Sequence, residues 1–327
     1  MLAARYEKTG PAREVLRVVE MEPPEPEAGE VRVRVGVSGV NPTDVKSRAG
    51  ATGGGLPGPF QIPHQDGAGV IDAVGEGVDP GRIGERVWLY FAAWQRPWGT
   101  AAQWTRIPAE QAVQLPEGAS ADLGATLGIP ALTAHRCLLA DGPIDGATIL
   151  VAGGAGAVGH AAIELARWAG AGRVIATVSS EEKAALARAA GAHATVNYRD
   201  DDAAERIRAA APDGVDRVVE LSLAQNLQLD LAVCAPYAVI TTYANDGGDE
   251  AAVPVRALMG PNLVLRFVLV YTMPRDALRQ AVHDVTRALR DGALTTLPLH
   301  RFGLEEVAGA HEAVERGVTG KVLVDLP

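Results

Sequence analysis

The sequence predicts an α/β chain in which a small β-rich unit precedes a doubly wound parallel sheet of six strands. Three observations carry this. A glycine-rich turn stands between an apolar run and a helix-like stretch at residues 147–168. From there to residue 270, strand-like and helix-like segments alternate. Roughly the first 120 residues instead hold short strand-like runs punctuated by glycine and proline.

The turn organises the rest. Gly154, Gly156 and Gly159 satisfy G-x-G-x-x-G directly after the apolar run Ala147–Val151 and before the helix-like Ala161–Trp168. In that setting the pattern is a dinucleotide fingerprint. Its first glycine permits a tight turn, its second lets backbone approach a pyrophosphate, and its third lets helix pack on strand. N–H groups at the helix start then face the anion. A glycine-rich turn without a ligand is the alternative, and the flanking strand and helix weigh against it.

The 327 residues, 47% hydrophobic and 21% charged, suit a globular chain of about two domains. A net charge of -10 argues against a nucleic-acid partner, which calls for a basic face. Two cysteines, Cys137 and Cys234, are too few for a disulfide framework or a thiolate zinc cage. Residues 1–20 carry charges throughout and read as no signal peptide. The longest apolar run, Leu263–Val270, contains Arg266 and is too short to span a bilayer. No membrane partner and a cytoplasmic location are expected.

Val31–Val37 alternates with period two and reads as a half-buried strand ending at Asn41, which Pro42 forces out of the α region. Gly67–Gly75 and Glu85–Tyr90 read as further strands, with loops at 46–61 and 91–100. Trp94 and Trp98 on the second loop either wall a flat ligand or plug a gap beneath it. Ala121–Leu139 reads as a helix broken by Pro130. After the fingerprint come strands at 173–178, 194–198, 215–220, 238–242 and 263–270, the set a dinucleotide-binding domain needs. Helix-like Asp276–Arg290 and Leu304–Arg316 follow. The late strand Gly320–Leu326 is expected to return to the first domain. Predicted domains are therefore 1–122 with 293–327, and 123–292.

After the second strand, Ser179-Ser180-Glu181-Glu182-Lys183 offers two hydroxyls and a lysine where an NAD site usually has an acid. Tyr198 and Arg199 lie at the neighbouring strand tip. These point to NADP(H), while Glu181 and Glu182 weigh for NAD(H). Ser180 equally reads as a helix cap.

Gly39-Val40-Asn41-Pro42-Thr43-Asp44, Gly67-Ala68-Gly69-Val70, Ala155–Gly159, Asn197-Tyr198-Arg199 and the tail Gly320-Lys321-Val322-Leu323 complete a pattern spanning the chain. It resembles the medium-chain dehydrogenase/reductase superfamily, and within it the zinc-independent quinone oxidoreductases related to zeta-crystallin. The resemblance implies a GroES-like catalytic domain beside a Rossmann domain. It implies that Gly154, Ala155, Gly156, Ala157, Val158 and Gly159 surround the pyrophosphate, and that Ser179, Ser180, Lys183 and Tyr198 surround the adenosine phosphate. Asn226 would contact the cofactor, Tyr243, Ala244, Leu269 and Val270 would flank the nicotinamide side, and Asn41 and Thr133 would sit near the nicotinamide. Asn41 equally reads as a turn residue before proline.

Zinc-dependent relatives carry cysteine at the position of Asn41 and His-Glu at Gln65-Asp66, so no metal is expected. Thr52 and Lys46 stand where relatives place tyrosines near the substrate, and Ala244 replaces a glycine, which puts the quinone preference in question.

The resemblance implies hydride transfer from NADPH to a flat quinone-like acceptor, with Asn41 and Lys46 as candidates to stabilise charge on its oxygen. Reduction of an enone or enoyl double bond is the alternative. A non-catalytic NADPH-binding structural or sensing protein is the alternative of another class. By resemblance, the sixth strand would pair across a homodimer axis; a covered edge in a monomer is the other reading.

Overall fold

The computed structural model describes residues 1–327. The chain forms two compact units, Met1–Ile129 with Pro298–Pro327, and Pro130–Leu297. The expected boundaries fall a few residues before these.

The first unit opens with strands β1 (Leu2–Arg5) and β2 (Arg17–Glu20), paired antiparallel, around the short helix α1 (Ala12–Val15). Neither strand is legible in the sequence, because each mixes charged with apolar residues without alternation. Strand β3 (Glu30–Val40) alternates as expected, burying Val31, Val33 and Val35 between Arg32 and Arg34. Helix α2 (Pro42–Ala49) follows where the sequence reads as loop from residue 46. Asn41 is extended (φ -118°, ψ 156°), and Pro42 takes the first helical position, where a missing N–H costs nothing. The unit continues through β4 (Asp66–Val74), β5 (Arg86–Leu89), β6 (Trp104–Pro108), β7 (Ala112–Gln114) and α3 (Ala121–Gly124).

Helix α4 (Gly128–Leu139) carries Pro130 in its first turn, so the proline does not break it; the interruption lies before it, between α3 and α4. In the second unit follow β8 (Thr148–Val151), α5 (Ala157–Trp168), β9 (Arg173–Val178), α6 (Glu181–Ala189), β10 (Ala194–Asn197), α7 (Ala203–Ala210), β11 (Val215–Glu220), α8 (Leu223–Val233), β12 (Cys234–Thr242), α9 (Val255–Met259), β13 (Val264–Phe267) and α10 (Arg275–Arg290). All six strands are parallel, in the order β10-β9-β8-β11-β12-β13. The order reverses between β8 and β11, where a doubly wound sheet opens its ligand crevice. Leu150, Ile175, Val218 and Ile240 form the core with Leu223 and Leu227 of α8. Strand β13 is shorter than expected: its partner β12 ends at Thr242, opposite Phe267. Leu269 and Val270 therefore lie beyond the strand, at a 3-10 turn.

The chain then returns to the first unit through β14 (Leu299–Gly303), α11 (Val307–Glu315) and β15 (Lys321–Asp325). As expected, the last strand joins the first unit, pairing antiparallel with β3 in a sheet ordered β14-β15-β3-β4-β5-β7, with β6 also on β3. No helix is long and apolar enough to cross a membrane.

Candidate functional site

In the second unit the fingerprint turn divides its labour differently from the sequence reading. The left-handed residue is Gly153 (φ 65°), so the tight turn rests there and not on Gly154. A Cβ on Gly154 would lie 2.6 Å from the Ala176 Cβ, and one on Gly159 would lie 2.3 Å from the Gly153 carbonyl oxygen. Those two glycines serve internal packing. A Cβ on Gly156 would meet nothing closer than that same oxygen, at 3.3 Å. Gly156 is exposed and caps α5 without a side-chain hydrogen bond, leaving first-turn N–H groups for an anion.

At the ends of β9 and β10, Ser180 caps α6 by accepting a hydrogen bond from the Lys183 N–H at 3.3 Å. A cavity of about 410 Å³ opens here, lined among others by Ser180, Glu181, Arg188, Asn197, Asp200 and Arg206. Glu181, the acid that weighed for NAD(H), is ion-paired with Arg188, whose guanidinium also donates to Thr195 Oγ1. Arg206 pairs with Asp200 at 2.9 Å. The sequence reading missed both arginines, since helical positions so far from the strand end carry no local signal. Tyr198 is exposed, with Arg199 over its ring at 5.7 Å.

Asn226 donates through Nδ2 to Glu220 Oε1 at 2.9 Å. Glu220 is wholly buried, also accepts from the Ser222 N–H, and was not foreseen. Burial raises its pKa. Thr133 is buried on α4, Ser179, Tyr243 and Ala244 are half-buried, Leu269 is exposed and Val270 buried.

In the first unit a buried polar centre forms where α2, β4 and β15 begin. Lys321 Nζ donates to Asn41 Oδ1 at 2.5 Å, and Asn41 Nδ2 donates to Asp66 Oδ2 at 2.7 Å. An ammonium only donates and a carboxylate only accepts, so the amide has one orientation. Asp44 accepts from the Asn41 and Gln65 N–H groups at 2.7 and 3.1 Å. Asp66 also accepts from the Ile129 N–H at 2.9 Å. Burial raises both carboxyls, Asp66 to about 6 and Asp44, which also feels Asp66, to about 8. Burial lowers Lys321 against the pull of both acids.

This corrects the reading of Asn41 as a free amide donor. It is 1% exposed, with both polar ends engaged. The lysine set against it is Lys321 of the last strand, not Lys46, which is half-buried on α2. Thr52 is exposed on the loop beyond. Trp98 packs edge-on against Phe60 at 5.5 Å and under Arg106, so it plugs the gap beneath its loop; Trp94 is half-buried.

The family model for the alcohol dehydrogenase GroES-like domain matches residues 27–117, and that for zinc-binding dehydrogenase matches residues 157–287. A 2-haloacrylate reductase from a Burkholderia species is 31% identical, with 100% of this chain and 99% of that protein aligned. A quinone oxidoreductase from Pseudomonas aeruginosa is 30% identical over 95% of each. The chain belongs to the quinone oxidoreductase family of the medium-chain dehydrogenase/reductases. Among solved structures, Escherichia coli quinone oxidoreductase complexed with NADPH superposes with a TM-score of 0.82 at 25% identity, covering 99% of this chain and 100% of that one. Members of this superfamily are oxidoreductases, and so is this protein.

The second of these matched families is described as zinc-binding, and the donors present here differ from a zinc site. At the positions that ligate zinc in metal-dependent relatives, Asn41 Oδ1 faces an ammonium and Gln65 Oε1 accepts from the Ala93 N–H at 3.2 Å. Asp66 already receives Asn41 and the Ile129 N–H. No group of three or more His, Cys, Asp or Glu side chains is placed to hold a metal. These residues do not fit a tetrahedral zinc ion: the cation of this centre is Lys321.

Proposed function

We propose that the protein is a zinc-independent, NADPH-dependent reductase of a conjugated carbonyl acceptor, with quinones as the leading class. The observation that carries the reading is the buried Lys321–Asn41–Asp66 centre, a self-contained set of partners where metal-dependent relatives place their ligands. When bound, the dinucleotide supplies the hydride. Gly156 and the open first turn of α5 accept its pyrophosphate, and Ser179, Lys183 and Tyr198 its adenosine phosphate. Asn226, Tyr243, Ala244, Leu269 and Val270 flank the cofactor in this reading.

 Thr133 and Asn41 stand on the nicotinamide side. Asn41, held by Lys321 and Asp66, is a fixed part of that side in this reading, and Lys46 adds positive charge to it. The free thiols Cys137 and Cys234 accord with a reducing, cytoplasmic setting.

Reduction of an activated carbon–carbon double bond is the second reading, and the similarity to a 2-haloacrylate reductase favours it. Initial rates of NADPH and NADH oxidation with 1,4-benzoquinone, a naphthoquinone and a simple enone separate the two. Quinone turnover supports the first reading and enone turnover alone supports the second. Tight NADPH binding without turnover would leave only a binding protein.

A homodimer through β13 belongs to the same reading. The strand is a sheet edge with Val264 and Phe267 exposed, and Leu269 is exposed just beyond it. An edge of this kind invites pairing. Sedimentation analysis of wild type and Phe267→Asp tests it, with a monomeric wild type as the contrary result.

A further inference from the structure

His64 adopts φ 78°, a left-handed backbone that a residue with a Cβ rarely takes. Its ring, wholly buried, is held at both nitrogens: Nδ1 lies 2.8 Å from Ser38 Oγ, and Nε2 lies 2.9 Å from His311 Nε2. Ser38 Oγ lies 2.7 Å from Thr100 Oγ1, which donates to the Asp66 carbonyl oxygen at 2.6 Å.

The direction of every bond in this chain follows from its last link. A carbonyl only accepts, so the single Thr100 hydroxyl proton goes to Asp66, and Thr100 must accept from Ser38. The Ser38 proton is then spent, and Ser38 accepts from a proton on His64 Nδ1. Burial and neighbouring positive charge keep His64 neutral, so its Nε2 carries a lone pair and accepts from His311 Nε2–H. His311 is left with a bare Nδ1, which has no hydrogen-bond partner. Burial, and after it the Arg48 charge, disfavours a second proton on His311.

The turn so held is a junction. The Thr100 N–H donates to the His64 carbonyl at 3.1 Å, the Ala92 N–H donates to the Gln65 carbonyl at 3.0 Å, and the Ala93 N–H donates to Gln65 Oε1. On the other side, the Gln65 N–H meets Asp44 and the Asp66 carboxylate meets Asn41. Residues 64–66 thus tie the loop 91–100 to the start of α2.

We propose that His64 is a positioning residue for the acceptor side of the site: the one-way chain His311→His64→Ser38→Thr100→Asp66 holds the strained turn that sets loop 91–100 against Asn41. This rests on the reading of function above. Glycine adopts the same backbone without the ring, and asparagine tolerates it while reaching Ser38 but not His311. His64→Gly is therefore expected to lose roughly tenfold in quinone kcat/KM, the scale of a sub-ångström misplacement. NADPH affinity, read by fluorescence titration, is expected to stay unchanged, and His64→Asn to recover part of the loss. Nitrogen-15 NMR of the wild type is expected to show His64 protonated at Nδ1 and His311 at Nε2. Full activity in His64→Gly, or an equal loss of NADPH affinity, overturns the proposal, as do the opposite tautomers. The tautomers decide the matter if His64→Gly does not fold. Absence of wild-type turnover with every acceptor removes the functional reading instead, and the proposal with it, whereas reversed tautomers in an active enzyme remove the proposal alone.

Discussion

Lys321, on the last strand, donates to Asn41 Oδ1 at 2.5 Å, joining two residues at opposite ends of the sequence inside the β-rich unit. The ammonium is wholly buried and feels both Asp66 and Asp44. Removing it leaves carboxylates without their counter-charge in a medium that solvates them poorly. Lys321→Met is expected to destabilise the protein by about 3–5 kcal/mol, the usual cost of breaking a buried pair from one side. Urea unfolding checks this, and a change below about 1 kcal/mol would contradict it.

The paired histidines add a pH dependence of known sign. Burial depresses His311 to about 3 and His64 well below its ordinary value. A folded-state pKa below the unfolded one means that the unfolded chain binds more protons as pH falls. This contribution is present above about pH 6.5, the unfolded histidine value, and is lost progressively below it. Asp66 and Asp44 act oppositely, since their raised pKa values favour the folded state at low pH. The stability difference between wild type and His64→Asn isolates the His64 part, and it is expected to shrink between pH 7 and pH 4.

The fingerprint glycines separate folding from binding. Gly159→Ala forces a Cβ to 2.3 Å from a backbone oxygen and is expected to disrupt the second unit. Gly156→Ala meets that oxygen at 3.3 Å and asks for a shift of only a few tenths of an ångström. It is expected to leave thermal unfolding nearly unchanged while weakening both NADPH and NADH. Calorimetry with fluorescence titration checks the pair.

In the proposed reading, cofactor choice rests on the charges at the start of α6, beside Ser180. Lys183→Ala is expected to weaken NADPH about tenfold, or about 1.4 kcal/mol, with little effect on NADH. Glu181 is solvent-exposed, and its pair with Arg188 is correspondingly weak. Arg188→Met frees this acid and is expected to shift preference toward NADH, since an acid here suits a ribose hydroxyl. Titration of each variant with both dinucleotides reads the outcome.

What was legible in the sequence follows from range. The fingerprint could be read because strand, turn and helix adjoin in sequence, and the long alternation of β3 because eleven residues display a period. Strands β1, β2 and β14 could not, since each is a short segment that mixes charged with apolar residues without alternation. Helix α2 hid behind Pro42, which signals an extended Asn41 and equally opens a helix. The same limit governs the site. Ser180 was readable as a cap from its neighbours alone, whereas Lys321 reaches Asn41 across 280 positions. A lysine heading an apolar strand was the available sign.

The proposed reaction is hydride transfer to a conjugated acceptor without a metal. It is tested most directly by NADPH oxidation with 1,4-benzoquinone before and after exhaustive treatment with a zinc chelator. Turnover that depends on the quinone and survives chelation is the predicted result. Activity that is lost on chelation and restored by added zinc would contradict the account.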